Sequence, residues 1–244
     1  MLKPVDQNFK KYCVSSDGSF LKKVRSIGGG GAAVMYMGLF IAVAAILLVF
    51  VSGDVLGSGA MAVVIATAVA GLTLGIVGAM LSRKRLATYL EYFSSISGYS
   101  PAELQEFDRE VQESNCRYDS MDKKLGKNSA AFSWVVTKNW FKPINSGPVR
   151  IQDLAAAFYV GELHYNRINY VQTLIMVDTK GKLSGVQGWS YNREDTDNFV
   201  KELAKLNPEL ITSRKFRFND REYDIGVNPE EAVALYCSIK NDNV

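Results

Sequence analysis

The chain contains one histidine, His164, within Glu162-Leu163-His164-Tyr165-Asn166-Arg167. A Ser-His-Asp arrangement would need it as the base, because imidazole titrates nearest neutrality. Its polar neighbours instead describe an exposed loop between strands. Asp178-Thr179-Lys180-Gly181 has the residue types of a phosphoacceptor or nucleotide-switch aspartate. A tight hairpin demands the same residues, since Gly reaches positive φ and Asp bonds its own backbone. No Walker A sequence accompanies the segment, so the turn is preferred. Cys13, Cys116 and Cys237 are odd in number and far apart, which argues against a CxxC zinc or redox unit and against a secreted disulfide framework. Gly28 to Gly31 follow no strand and precede no Lys-Ser/Thr pair, and they read as a flexible hinge. No catalytic residue, metal ligand or cofactor contact is assigned from these motifs.

Two side-chain groups have wider scope. Trp134, Trp140 and Trp189 with Tyr191 have the apolar bodies and polar tips of a ligand groove, but strands of an ordinary sheet core concentrate the same residues, and core is the expectation. Arg214, Lys215, Arg217 and Arg221 form a basic cluster that alternates with Phe216 and Phe218. A solvated strand face is the default there, and contact with an anionic lipid or acidic partner is the functional alternative.

These residues hang from an organising element of a different kind. Ala32 to Val51 and Val55 to Leu81 are apolar runs separated by a single charge, Asp54. About twenty helical residues span the roughly 30 Å of a bilayer's hydrocarbon core, so each run is long enough to cross. The expectation is a transmembrane helical hairpin over 32–82, preceded by a basic arm over 1–31. Lys22, Lys23 and Arg25 precede the first run, Arg83, Lys84 and Arg85 follow the second, and Ser52-Gly53-Asp54 has no basic residue. By the positive-inside rule both termini are cytoplasmic and the protein is a multi-pass protein of the plasma membrane. Thr67, Gly71, Gly75 and Ala79 recur every four residues in the second run, as do Gly38 and Ala42 in the first. Small residues at that spacing let helices approach closely, either within the chain or in self-association. Neither run carries an ionisable residue, which argues against an ion or substrate path.

Beyond the hairpin, residues 83–244 hold 22 basic and 22 acidic residues. This balance disfavours nucleic acid, whose phosphates call for a basic surface. Leu86, Leu90 and Phe93 share a helical face. Ser100-Pro101-Ala102-Glu103 then has the cap, proline and acidic residue of a second helix start. This connector and a polar loop are expected to fill 83–129. From Ala130 to the end, the pattern is that of a mainly antiparallel sheet with packing helices. Phe132, Trp134 and Val136 alternate with their neighbours, Val149 and Ile151 begin a second strand that resumes through Val160, and Tyr170 to Val177 with Lys182 to Trp189 flank the Asp178 turn. Asn192 to Leu206 reads as a helix stopped by Asn207-Pro208, Phe216 to Ile225 as a hairpin turning at Asn219-Asp220, and Asn228-Pro229-Glu230-Glu231 as the start of a last helix. The fold class is therefore α+β.

The strands Trp134-Val135-Val136-Thr137 and Val149-Arg150-Ile151-Gln152-Asp153-Leu154, the strand Leu174 to Val177 with its Asp178 to Gly181 turn, and the helix bearing Phe199, Leu203 and Leu206 together resemble bacterial pleckstrin-homology-like domains attached to transmembrane hairpins. The resemblance implies a curved antiparallel sheet plugged by a helix, acting as a noncatalytic protein- or lipid-interaction module. About forty residues follow the helix that would close such a domain. The functional expectation is a membrane-anchored binding or scaffolding protein. Its alternatives are a small subunit of a larger membrane complex and a membrane-tethered enzyme whose carboxylate site joins residues such as Asp153 and Asp178.

Overall fold

A computed structural model describes residues 2–242 apart from Gly28, 53–56, Asn145, Gln187, Gly188, Ser190, Asn219 and Asp220. In chain order the elements are β1 (Lys3–Pro4), α1 (Gln7–Cys13), α2 (Phe20–Ser26), α3 (Gly30–Ser52), α4 (Ser58–Ala87), α5 (Tyr89–Ser97), α6 (Pro101–Glu110), β2 (Arg117–Ser120), β3 (Ser133–Val136), β4 (Trp140–Lys142), β5 (Val149–Arg150), β6 (Leu154–Tyr165), β7 (Ile168–Asp178), β8 (Leu183–Gly185), α7 (Arg193–Leu206), β9 (Lys215–Phe218), β10 (Arg221–Asp224) and α8 (Pro229–Asp242). They form two compact units, one of residues 21–92 and the other of 1–20 with 93–244. The fold class is α+β, with two long apolar helices and antiparallel sheets.

In the first unit α3 and α4, 23 and 30 residues long, pair antiparallel. The contacting positions are small. Gly31 approaches Gly78 and Ser82, Gly38 approaches Gly71 and Gly75, and Gly71 lies against Ala42. Inward positions recur at 31, 35, 38, 42, 45 and 49 on α3 and at 61, 64, 68, 71, 75, 78, 82 and 85 on α4. That spacing of alternating threes and fours is the 3.5-residue repeat of left-handed helix packing. Gly30 and Gly31 are helical, not a hinge, because Gly31 is needed where the backbones meet. The loop residues Gly53 and Asp54 lie outside the described residues.

The second unit is built on two antiparallel sheets, β1-β2-β3-β4-β5 and β6-β7-β8, with β9 and β10 as a separate hairpin. The polar loop expected before Ser129 contains β2, which pairs with β1 and β3. The basic arm also belongs to the body as far as Phe20: Phe9, Cys13 and Phe20 are fully buried, with Phe9 tilted against Tyr118 and Phe20 edge-on to Phe107. Helix α6 begins as its residues predict, with Ser100 and Glu103 capping each other, and it buries Leu104 and Phe107. Phe132 departs from the predicted alternation. It ends a 3-10 turn and is exposed, whereas all four residues of β3 are buried between two covered faces.

One core joins Trp134, Phe141, Leu174, Met176 and the α7 residues Phe199 and Leu203. Phe158, Ile175, Val177 and the α8 residue Leu235 fill another. Leu174 and Met176 thus point one way and Ile175 and Val177 the other, so the second half of β7 is covered on both faces, as the period of a strand allows. Helix α8 is what the forty extra residues supply: cover for that second face. Asn192 caps α7 by accepting from the Asp195 amide. At its other end, buried Asn207 donates to the carbonyls of Ile151 and Leu154 at 2.9 and 3.0 Å, fixing the helix against the β5–β6 corner.

Candidate functional site

The turn reading of Asp178 is met in detail. Its Oδ1 accepts from the amides of Lys180 and Lys182, each at 2.9 Å, and Gly181 takes φ +80°. The same geometry brings Asp178 beside Asp153, because Leu154 pairs with Asp178 across β6 and β7. Both carboxylates line a cleft of about 190 Å³ with Tyr99, Lys180, Lys182 and Ser184. Tyr99 organises its floor: the hydroxyl donates to Asp153 Oδ2 at 2.7 Å and accepts from the Arg150 amide at 3.1 Å. Burial, reinforced by Asp153 against the opposing Arg150 amide, raises the phenol well above its ordinary pKa. Tyr99 therefore stays a donor, and the groups that could do acid-base work are engaged in holding α5–α6, β5 and the β7–β8 turn together. Tyr99 carried no sequence signal, since only the fold brings it to a partner 54 positions away.

His164 is exposed on β6, 3.2 Å from Glu162. The expected loop is shorter than its polarity suggests: β6 and β7 join through Asn166 and Arg167, at φ 48° and 65°, a two-residue hairpin turn. The tryptophans are core. Trp134, Trp140 and Trp189 are all buried, Trp189 donates to Thr196 Oγ1, and Tyr191 stacks on Trp134 while its hydroxyl bonds Asp119. A groove of about 530 Å³ does open beside β7 and β8, bordered by Ile168, Tyr170, Val171 and Gly185. Ile168 and Val171 are more than half exposed there.

The basic cluster falls on β9 and β10, with Arg214 just ahead of β9, Lys215 and Arg217 outward and Phe216 stacked on Tyr223 across the pair. Carboxylates accompany it. Arg214 bonds Asp224 at 2.9 Å, Lys215 lies 3.6 Å from Glu222, and Arg221 lies 3.3 Å from Glu231. Opposite charges across a strand pair stabilise the hairpin and offset the positive field an anionic surface would sense. The predicted turn at Asn219-Asp220 lies outside the described residues.

Of the small residues singled out for helix packing, Gly38, Ala42, Gly71 and Gly75 are in the seam. Thr67 is exposed, with its hydroxyl returned to the Val63 carbonyl, and Ala79 is half-buried. A strict four-residue spacing drifts off a helix face, whereas the alternating pattern follows it. Gly78 was missed for that reason, although it faces the Met35 and Gly31 backbone as closely as Gly38 faces Gly75. Among the described residues no group of three or more His, Cys, Asp or Glu is arranged to hold a metal.

The chain matches no protein-family model, no curated protein and no solved structure in comparisons with each. Its own geometry defines the class: an α+β protein joining a two-sheet body to a pair of helices long and apolar enough to cross a membrane.

Proposed function

We propose that this is a membrane-anchored binding or scaffolding protein, with α3 and α4 crossing the plasma membrane and both termini on the cytoplasmic side. The observation that carries it is the outward surface of the two helices. Phe40 is 75% exposed and Phe50 82%, and only 17% and 11% of the two apolar stretches is buried within the chain. A soluble core helix buries such residues, and in water this surface would be a large apolar patch. The pairing also puts both basic flanks at one end, with Arg85 Nε donating to the Arg25 carbonyl at 3.0 Å, which supports the inside-positive orientation. A noncatalytic body is supported by Tyr99, Asp153 and Asp178, whose polar atoms serve the fold. Two antiparallel sheets packed by α7 agree with the pleckstrin-homology-like resemblance, and the groove beside β7 is the binding face it suggests.

The anchor is tested by alkaline carbonate extraction of the full chain, where retention is expected and release overturns it. Orientation has a native reporter, since Cys237 is exposed while Cys13 and Cys116 are buried. A membrane-impermeant thiol reagent should label Cys237 only after permeabilisation, and Asp54→Cys in intact cells; the opposite pattern reverses the topology. A photocrosslinker at Val171 should yield a discrete adduct that one at exposed Lys138 does not, and identical patterns from both remove the groove.

A further inference from the structure

Where α3 begins and α4 ends, the chain builds a cationic cleft. About 360 Å³ in volume, it is bordered by Arg25, Arg83, Arg85, Ser26 and Ser82 around Gly29, above an apolar floor that includes Met35 and Ala79. No carboxylate is among the described residues lining it. The unit from 21 to 92 has six basic residues and two acidic ones, Asp54 and Glu91. The three arginines differ in what occupies them. Arg85 ties the helix ends together through the carbonyls of Arg25 and Ile27, and its guanidinium packs over Gly29, where an added Cβ would come within 3.1 Å. Arg25 stacks on the Tyr92 ring at 3.6 Å, which fixes its plane, while its buried Nε has no hydrogen-bond partner. Burial, and behind it the Arg85 charge, lowers the Arg25 pKa, so the Arg25 guanidinium feels a second cation beside it. Arg83 is exposed on the turn that carries Arg85.

We infer that this cleft binds a phosphate oxyanion, and that in the membrane the ligand is the headgroup of an anionic phospholipid. The source rests on the membrane reading above. Guanidinium forks and serine hydroxyls are the donors that suit phosphate oxygens, and Arg25, Arg83, Ser26 and Ser82 supply both kinds at this mouth. The apolar floor continues into the outward face of the helix pair, where acyl chains would lie. Basic pockets between helices at the cytoplasmic boundary are suited to such headgroups.

The test uses delipidated full-length protein in detergent, titrated separately with phosphatidylglycerol, phosphatidylcholine and inorganic phosphate, with bound species counted by native mass spectrometry. One phosphatidylglycerol should be retained over phosphatidylcholine. Arg25→Gln or Arg83→Gln should weaken retention about tenfold, the effect of losing roughly 1.4 kcal/mol of charge-assisted bonding. Lys84→Gln removes the same charge from the same turn but lies outside the cleft, and it should leave retention unchanged. Equal weakening by Lys84→Gln, or equal retention of the two lipids together with no arginine-dependent binding of inorganic phosphate, overturns the site. Arginine-dependent binding of inorganic phosphate with no lipid preference upholds the oxyanion site and rejects the lipid source. Carbonate release of the protein from membranes would count against the anchor alone, because phosphate binding in detergent does not depend on it.

Discussion

Lys142 is the most exceptional single residue. It is fully buried on β4, its ammonium faces the Phe20 ring at 5.7 Å, and burial pushes its pKa down to about 7 from 10.5. The unfolded chain keeps that lysine protonated to about pH 10. Stability should therefore be flat below pH 7 and rise with pH between about 7 and 10.5, as only the folded state has lost its proton. Lys142→Met is expected to stabilise the protein by about 1–4 kcal/mol at pH 7 and to flatten that slope, both read from urea titrations at several pH values. Arg167 is a second residue with a local cost, since a side chain in the left-handed region is strained by about 1 kcal/mol. Arg167→Gly completes the Asn-Gly pair that such turns favour, and the thermal midpoint should rise. Neither residue stood out in the sequence: a lysine between Phe141 and Pro143 reveals its burial only when both faces of β4 are covered.

At the scale of elements, the α3–α4 seam separates glycines by what a methyl group would meet. A Cβ on Gly38 or Gly78 would come within 2.4 Å of facing backbone nitrogen, and one on Gly71 within 2.7 Å, but one on Gly75 meets Leu39 no closer than 3.6 Å, an ordinary van der Waals contact. Backbone cannot yield as a side chain does. Gly38→Ala and Gly78→Ala should each destabilise the pair by about 1–3 kcal/mol, with Gly75→Ala near neutral, measured by unfolding in detergent micelles. Asn207 makes the matching case in the body. Asn207→Ala removes the amide that ties the Ile151 and Leu154 carbonyls to the end of α7 and should cost about 1–3 kcal/mol in a urea titration.

For the whole molecule, the decisive fact is that the body is discontinuous in sequence. Residues 1–20 and 93–244 form one unit, and the 21–92 helix pair is inserted between them. A fragment that starts after the helix pair lacks β1 and the fully buried Phe9 and Phe20. Residues 93–244 alone should bind a hydrophobic dye and unfold with low cooperativity. Joining residues 1–20 to that fragment through a flexible linker should restore a sharp transition; equal behaviour of the two would show that the N-terminal segment adds nothing to the core.

The sequence by itself determined the apolar helices, the α6 and α7 starts, the Asp178 turn and the order of the later strands. Each is set by local physics: hydrophobic period, capping groups and glycine's access to positive φ. Tertiary structure alone decided the rest. Short β1 and β2 have too few residues to show a period and exist because they pair with strands distant in sequence. The choice of Gly78 over Thr67 depends on which helix face meets the partner. The neutralised basic cluster at Arg214 and the cation-rich cleft at Arg25 differ in which carboxylates folding brings near, and no count of charges along the chain contains that distance.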